Sequence, residues 1–150
     1  LKNVQAAEKA GVPTKEFVIP LGKAAIRKEG SDVTIITWGA MTVPSLSAAA
    51  KSNCSVEVID LRTLSPFDVD AVINSVKKTG RAIIVHEAPR TAGLGAEIAA
   101  QINEKALLNM QAPVERVTGF DTVFPLPKLE NYYLPDVKRI SDAIERVMKF

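Results

Sequence analysis

The side chains best suited to chemistry stand close together in this sequence. His86-Glu87-Ala88-Pro89-Arg90-Thr91 sets an imidazole, a carboxylate, a guanidinium and a hydroxyl within six residues. The stretch follows Ala82-Ile83-Ile84-Val85, an apolar β-branched run that predicts a buried strand. His86 and Glu87 therefore fall at the carboxyl end of a strand, where open α/β sheets place their ligands. With Arg90 and Thr91 in the same loop, this is the best candidate site on the chain. Arg90 could hold an anion together with the start of the helix that opens at Gly93-Leu94-Gly95. The plainer alternative for one histidine beside one glutamate is a structural pair. Those glycines do not make a dinucleotide fingerprint, because Ile98 stands where G-x-G-x-x-G needs Gly or Ala. No acidic residue closes the following strand either. The glycines then read as letting the helix begin close to the sheet or to a partner.

Beyond that stretch the inventory is thin. His86 is the one histidine and Cys54 the one cysteine. An internal disulfide framework and a Cys-rich zinc site are excluded. No G-x-S-x-G elbow is present, and Gly22-Lys23 lacks the flanking residues of a phosphate-binding P-loop. Trp38, predicted to end a strand, could stack on a ligand or pack against the core or a subunit. Tyr132 and Tyr133 could anchor an interface or cover the sheet edge. Lys138 and Arg139 read as a solvated helix face. With no complete nucleophile, base or metal constellation, the residues favour a binding or assembly domain over a free-standing catalyst.

The elements that would position these groups alternate. Val33 to Thr37, Val56 to Leu61, Ala82 to Val85 and Val114 to Val117 predict strands. Phe17-Val18-Ile19 predicts a first strand or edge segment, and Ala24 to Arg27 a short one. Helical spacing follows Pro44, runs from about residue 94 to 108, and recurs after Pro135-Asp136. Another helix is expected after Ser65-Pro66-Phe67-Asp68, with Ser65 as N-cap, Pro66 at the first helical position and Gly80 as its stop. Strands alternating with helices predict a three-layer α/β/α fold with a mostly parallel central sheet of about five strands. A chain of 150 residues, 47% hydrophobic, makes one such domain. Its 19 basic and 17 acidic side chains are mixed along the chain and leave +2, which gives no nucleic-acid footprint. No apolar run reaches the roughly 18–20 residues of a membrane span, and no secretory signal pattern is present. A single cysteine fits a reducing compartment. The chain begins with Leu1 rather than Met, which suggests processing or a piece of a longer protein.

Five stretches, in order, resemble one family. They are Ile19-Pro20-Leu21-Gly22-Lys23-Ala24 running on to Glu29-Gly30-Ser31-Asp32-Val33-Thr34-Ile35, then Val58 to Asp68, His86 to Ile98, Arg116-Val117-Thr118-Gly119, and Leu134-Pro135-Asp136. Together they resemble the C-terminal, transketolase-C-like domain of a 2-oxo acid dehydrogenase β subunit, of the branched-chain or pyruvate type. His86-Glu87-Ala88-Pro89 is more similar to branched-chain members than to some pyruvate members. The resemblance implies that residues 16–150 are this domain and that residues 1–15 lead in from an upstream thiamine-pyrimidine domain. It implies thiamine diphosphate and magnesium in the full enzyme, held by that upstream domain and the α subunit. No catalytic, cofactor or metal residue carries over to these positions. What carries over is assembly: β–β contacts, association with the α subunit, and docking of the acyltransferase subunit-binding domain near the chain's end. His86, Glu87, Arg90, Asp136 and Phe150 are the contact candidates. The expected location is the cytoplasm or the mitochondrial matrix. The rival expectation is an anion- or nucleotide-responsive regulatory module using Arg90 and the helix start at Gly93.

Overall fold

Residues 14–150 are described by a computed structural model. Five strands form one sheet in the order β1-β3-β2-β4-β5. They are β1 (Ala25–Lys28), β2 (Val33–Thr37), β3 (Val56–Asp60), β4 (Ala82–Pro89) and β5 (Glu115–Gly119). β1 pairs antiparallel with β3, and every other pairing is parallel. The helices are α1 (Thr42–Lys51), α2 (Val69–Thr79), α3 (Leu94–Ala106), the short α4 (Glu130–Tyr133) and α5 (Val137–Met148). The expected three-layer fold with a mostly parallel five-stranded sheet is the one observed.

The pleat sorts side chains onto two cores, because neighbouring residues of a strand face opposite ways. Val33, Ile35, Val56, Val58, Ile83, Val85 and Val117 face α1 and α5. Ile36, Ile59, Leu61, Ala82 and Ile84 face α2 and α3. The parallel ladder aligns them across strands: Ile35 beside Val58 and Ile83, Ile36 beside Ile59 and Ile84. Both edges are guarded. β1 is short, irregular between Ile26 and Lys28, and charged. Along β5 the carbonyls of Arg116 and Thr118, two residues apart, accept from Arg90 Nη1 (3.0 Å) and Arg139 Nη2 (2.6 Å). Such devices discourage edge-to-edge pairing.

Two local expectations are corrected. Phe17-Val18-Ile19 forms no strand and its side chains are exposed. β1 occupies the place beside β3, and this run pairs with no strand. The N-cap of α2 is Asp68, not Ser65: its carboxylate accepts from Ala71 N at 3.2 Å. The same carboxylate accepts from Ala24 N at 3.1 Å, so one side chain ties the start of α2 to the chain entering β1, a task a serine hydroxyl is too short to share. Ser65-Pro66, a cis peptide, lies in the preceding turn. Gly80 does end α2, with φ of 70° and its N–H on Val76 O.

Among the described residues one carboxylate is fully buried in this frame. Glu57 on β3 has no exposed surface. Its carboxylate accepts from Ser75 Oγ and Lys78 Nζ on α2, and Ser75 Oγ is joined through Thr34 Oγ1 (2.6 Å) to Thr79 Oγ1 (2.8 Å). Burial pushes the carboxyl up, but the bonds from Lys78 and Ser75 pull it further down, and it stays below the usual range. Truncating Lys78 would leave this carboxylate buried and unpaired. Lys78→Ala is expected to cost about 2–3 kcal/mol, less than a fully buried pair because the ammonium is partly exposed. Lys77→Ala, one residue away on the solvent side, should change stability by under about 0.5 kcal/mol. Urea unfolding of the two variants measures the difference.

Candidate functional site

The connections reverse direction at the centre of the sheet. From β2 the chain moves outward to β3, and from β3 it crosses to β4 on the other side. The crevice beyond the carboxyl ends of β2 and β4 is therefore the switch point where open sheets bind ligands. Here it is a concavity of about 320 Å³ lined by Trp38, Gly39, Ala40, Glu87 and Ala88.

The registers bring its two rings together. Thr37 pairs with Val85, so the next residues, Trp38 and His86, emerge side by side on the α3 face. Their rings stack with centroids 5.2 Å apart and planes 12° from parallel. His86 is 1% exposed. Neither of its nitrogens has a hydrogen-bond partner in the protein. The start of α3 lies over its outer edge. A Cβ on Gly95 would sit 2.4 Å from His86 Nε2, and one on Gly93 2.9 Å from its Cε1. The two glycines thus let the helix begin against the sheet, as the sequence suggested. Burial holds the imidazole below its ordinary value, and the nearby Arg116 charge pushes the same way, with the Ala88 backbone opposing. The buried ring is a neutral packing element.

The predicted residues do not converge on one point. His86 is sealed beneath Trp38 and α3, while Glu87, next in the strand, is exposed on the rim of the concavity. They are not a structural pair. Arg90 is anchored at the β5 edge by its bond to the Arg116 carbonyl, and Arg116 Nη1 returns a bond to Arg90 O at 3.2 Å. Thr91 bonds Asp121 through its N–H (2.8 Å) and its hydroxyl (2.7 Å). Those bonds hold the Asp121 carboxyl below the usual range. Asp136 caps α5, accepting from Arg139 N at 2.7 Å, and Phe150 is exposed at the chain's end.

Several functional-looking contacts were not read from the sequence. Arg139, expected on a solvated face beside Lys138, is half-buried: it donates to Thr118 O and Tyr133 O and lies 4.8 Å over the Phe120 ring. The two tyrosines divide the roles left open for them. Tyr133 is buried, edge-on to Phe120 and Phe124, and Tyr132 is exposed. The visible signal for Arg139 was its place three residues after the Asp136 cap, on the turn of α5 that meets the sheet.

Residues 22–140 match the family described as the transketolase C-terminal domain. The chain belongs to that family. The transketolase C-terminal domain here is 49% identical over 142 residues to the pyruvate dehydrogenase E1 component subunit beta of Bacillus subtilis, and 47% identical to that of Staphylococcus epidermidis. Each match takes in 93% of this chain and 44% of the relative, so the chain spans less than half the length of these proteins. In structure it resembles an inactive β4 tetramer of a split-gene transketolase, with a TM-score of 0.77 at 27% identity, covering 89% of this chain and 44% of that one. Among the described residues no helix is long and apolar enough to cross a membrane.

Two outcomes test the sealed imidazole. A group whose folded pKa lies below its unfolded value of about 6.5 contributes fully above that value, and the contribution falls as pH drops through the folded pKa. Stability should therefore decline from pH 7 to 5, a window above the range in which the depressed carboxylates Asp32, Glu57 and Asp121 titrate. His86→Phe, which keeps a ring against Trp38, should flatten that slope in urea melts taken at each pH. Gly95→Ala should destabilise by about 1–3 kcal/mol through collision with the ring, although alanine is the better helix former by about 1 kcal/mol. Combined with His86→Ala, its cost should shrink, as a double-mutant cycle would read.

Proposed function

We propose that this chain is the C-terminal assembly domain of the β subunit of a thiamine-diphosphate-dependent 2-oxo acid dehydrogenase, of the pyruvate or branched-chain type. The full enzyme would decarboxylate a 2-oxo acid and pass the acyl group to a lipoyl arm. Residues 1–15 would lead in from the upstream thiamine-pyrimidine domain, and residues 16–150 would be the domain itself. The dehydrogenase subunit names of the relatives support the class, and pyruvate is the substrate those names carry. The cytoplasm suits such an enzyme in a bacterium, and the mitochondrial matrix in a eukaryote.

The described residues do not fit the magnesium site of that cofactor. No three His, Cys, Asp or Glu side chains among them converge where a metal ion could be held. The imidazole nearest the switch-point concavity is packed away beneath Trp38 and the start of α3. No chemical step is therefore assigned to these side chains, and the role left to them is to build and hold an assembly.

The observation that carries the assembly role is the segment between β5 and α5. Phe120, Val123, Phe124, Leu126, Leu129 and Tyr132 are all at least half exposed. Buried Tyr133 packs edge-on against the rings of Phe120 and Phe124 in this segment. A contiguous apolar surface of this kind marks a protein contact. It suits a second β subunit, with the α subunit completing the tetramer. Exposed Phe150 at the end of α5 suits the acyltransferase subunit-binding domain, as do Glu87 on the rim of the switch-point concavity and Arg90 at the β5 edge. Asp136 is already engaged as a cap and could contribute only its charge.

Sedimentation at concentrations near 1 mM should show self-association of the 150-residue chain, and Leu126→Asp should weaken it by about tenfold or more. A strict monomer over that range would overturn the β–β assignment. The chain alone should release no carbon dioxide from a labelled 2-oxo acid with thiamine diphosphate and magnesium added, and turnover would overturn the non-catalytic role.

A further inference from the structure

A second concavity lies apart from the switch point and borders the apolar segment through Arg139, which lies over Phe120. It has a volume of about 270 Å³ and lies where the β4–α3 connection, β5 and α5 meet. Arg90, Arg116, Arg139 and Arg146 line it, with Glu115 and Asp142. Four guanidinium groups thus face one small space with two carboxylates.

Those carboxylates are already engaged. Glu115 Oε1 accepts from Arg146 Nη2 at 2.7 Å, and Asp142 Oδ2 from Lys138 Nζ at 2.7 Å. Asp121, whose field reaches Arg90, is held by both donors of Thr91. Arg90, Arg116 and Arg139 form no ion pair among the described residues. Each is instead tethered to neutral carbonyls: Arg90 to Arg116 O, Arg116 to Arg90 O, Arg139 to Thr118 O and Tyr133 O. A carbonyl fixes the orientation of a guanidinium without neutralising it. The remaining N–H groups of each planar fork stay available, and forks of this kind bind phosphate through paired hydrogen bonds. The order of the arginines is paid for by the fold, so a ligand need not supply it.

We propose that this concavity is a binding site for a small molecule carrying a phosphate group, held chiefly by Arg90, Arg116 and Arg139. The three groups come from three different parts of the chain and line one small, half-open concavity, whose size suits a compact, multiply charged anion better than an extended acidic segment. Inorganic phosphate and a phosphate ester share the chemistry that would be recognised. Arg90 is shared with the docking surface proposed above, and Arg139 touches Phe120 of the apolar segment, so phosphate binding is read by titration rather than by self-association.

Calorimetric titration of the 150-residue chain at low ionic strength, where screening is weak, tests the proposal. Inorganic phosphate and adenosine 5′-monophosphate are the probes, with adenosine as the uncharged control and a short poly-glutamate peptide as the acidic one. The expected result is saturable binding of phosphate, of the ester or of both at Kd of about 1 mM or tighter, weakened by salt, with no response to adenosine. Binding of both with similar affinity points to free phosphate as the natural ligand, and stronger binding of the ester points to an organic phosphate. The double variant Arg90→Gln/Arg116→Gln should lose at least about tenfold in affinity, and Lys128→Gln should lose none. Arginine side-chain amide resonances, followed by NMR on the same samples, report both retained folding of the variant and which forks the anion touches. Absence of saturable phosphate or ester binding up to about 20 mM would overturn the proposal. So would unchanged affinity in a folded double variant, or binding of the peptide alone.

Discussion

A parallel strand covered on both faces can leave no side chain unmatched and no backbone polar group unpaired. β2 is under that constraint along its whole length: all five of its residues are buried. Its odd-numbered side chains must find one helical layer and its even-numbered ones another, and the parallel ladder passes the same demand to β3 and β4. A slip of one residue would exchange the two cores, so register is held tightly. The same alternation explains the polar interior. Thr34 and Glu57 are paired across the ladder on the α2 face, and α2 answers them with Ser75, Lys78 and Thr79. It also delivers Trp38 and His86 side by side beyond the last rung.

This makes clear why the fold was largely legible. Continuous β-branched runs separated by helical spacing declare a doubly covered sheet, and Gly80 and Asp136 mark helix boundaries by local chemistry that does not depend on the rest of the fold. The misreadings fall where local and distant partners compete. Ser65 was a sound local cap, but Asp68 serves its own helix and a distant segment at once. Phe17-Val18-Ile19 carries strand chemistry, yet strand formation needs a neighbour, and no sequence pattern shows which edge is free.

The candidate sites were less legible for a related reason. His86, Glu87 and Arg90 were marked by residue type and by their place after a strand. Their fates differ because the strand continues to Pro89, so alternation drives the imidazole inward and leaves the carboxylate outside. Arg139 shows the opposite failure: beside Lys138 it looks like one more surface cation, and only tertiary packing reveals it bound to the Thr118 carbonyl of β5 over Phe120. Membership of the transketolase C-terminal domain family describes the frame, while these side chains show how the frame is put to use in this chain.

The guanidinium groups that occupy alternate carbonyls of β5 have a consequence for how copies of this domain can meet. A bare edge strand invites sheets to continue from one molecule into the next, the route by which β-proteins form fibrils. Here the backbone acceptors at the edge are already taken, and the opposite edge is short and irregular. Self-recognition is thereby diverted from the backbone, which any strand can match, to side-chain surfaces that only a complementary partner fits. Where such a surface meets its own copy, growth closes into a small symmetric particle rather than running on without end.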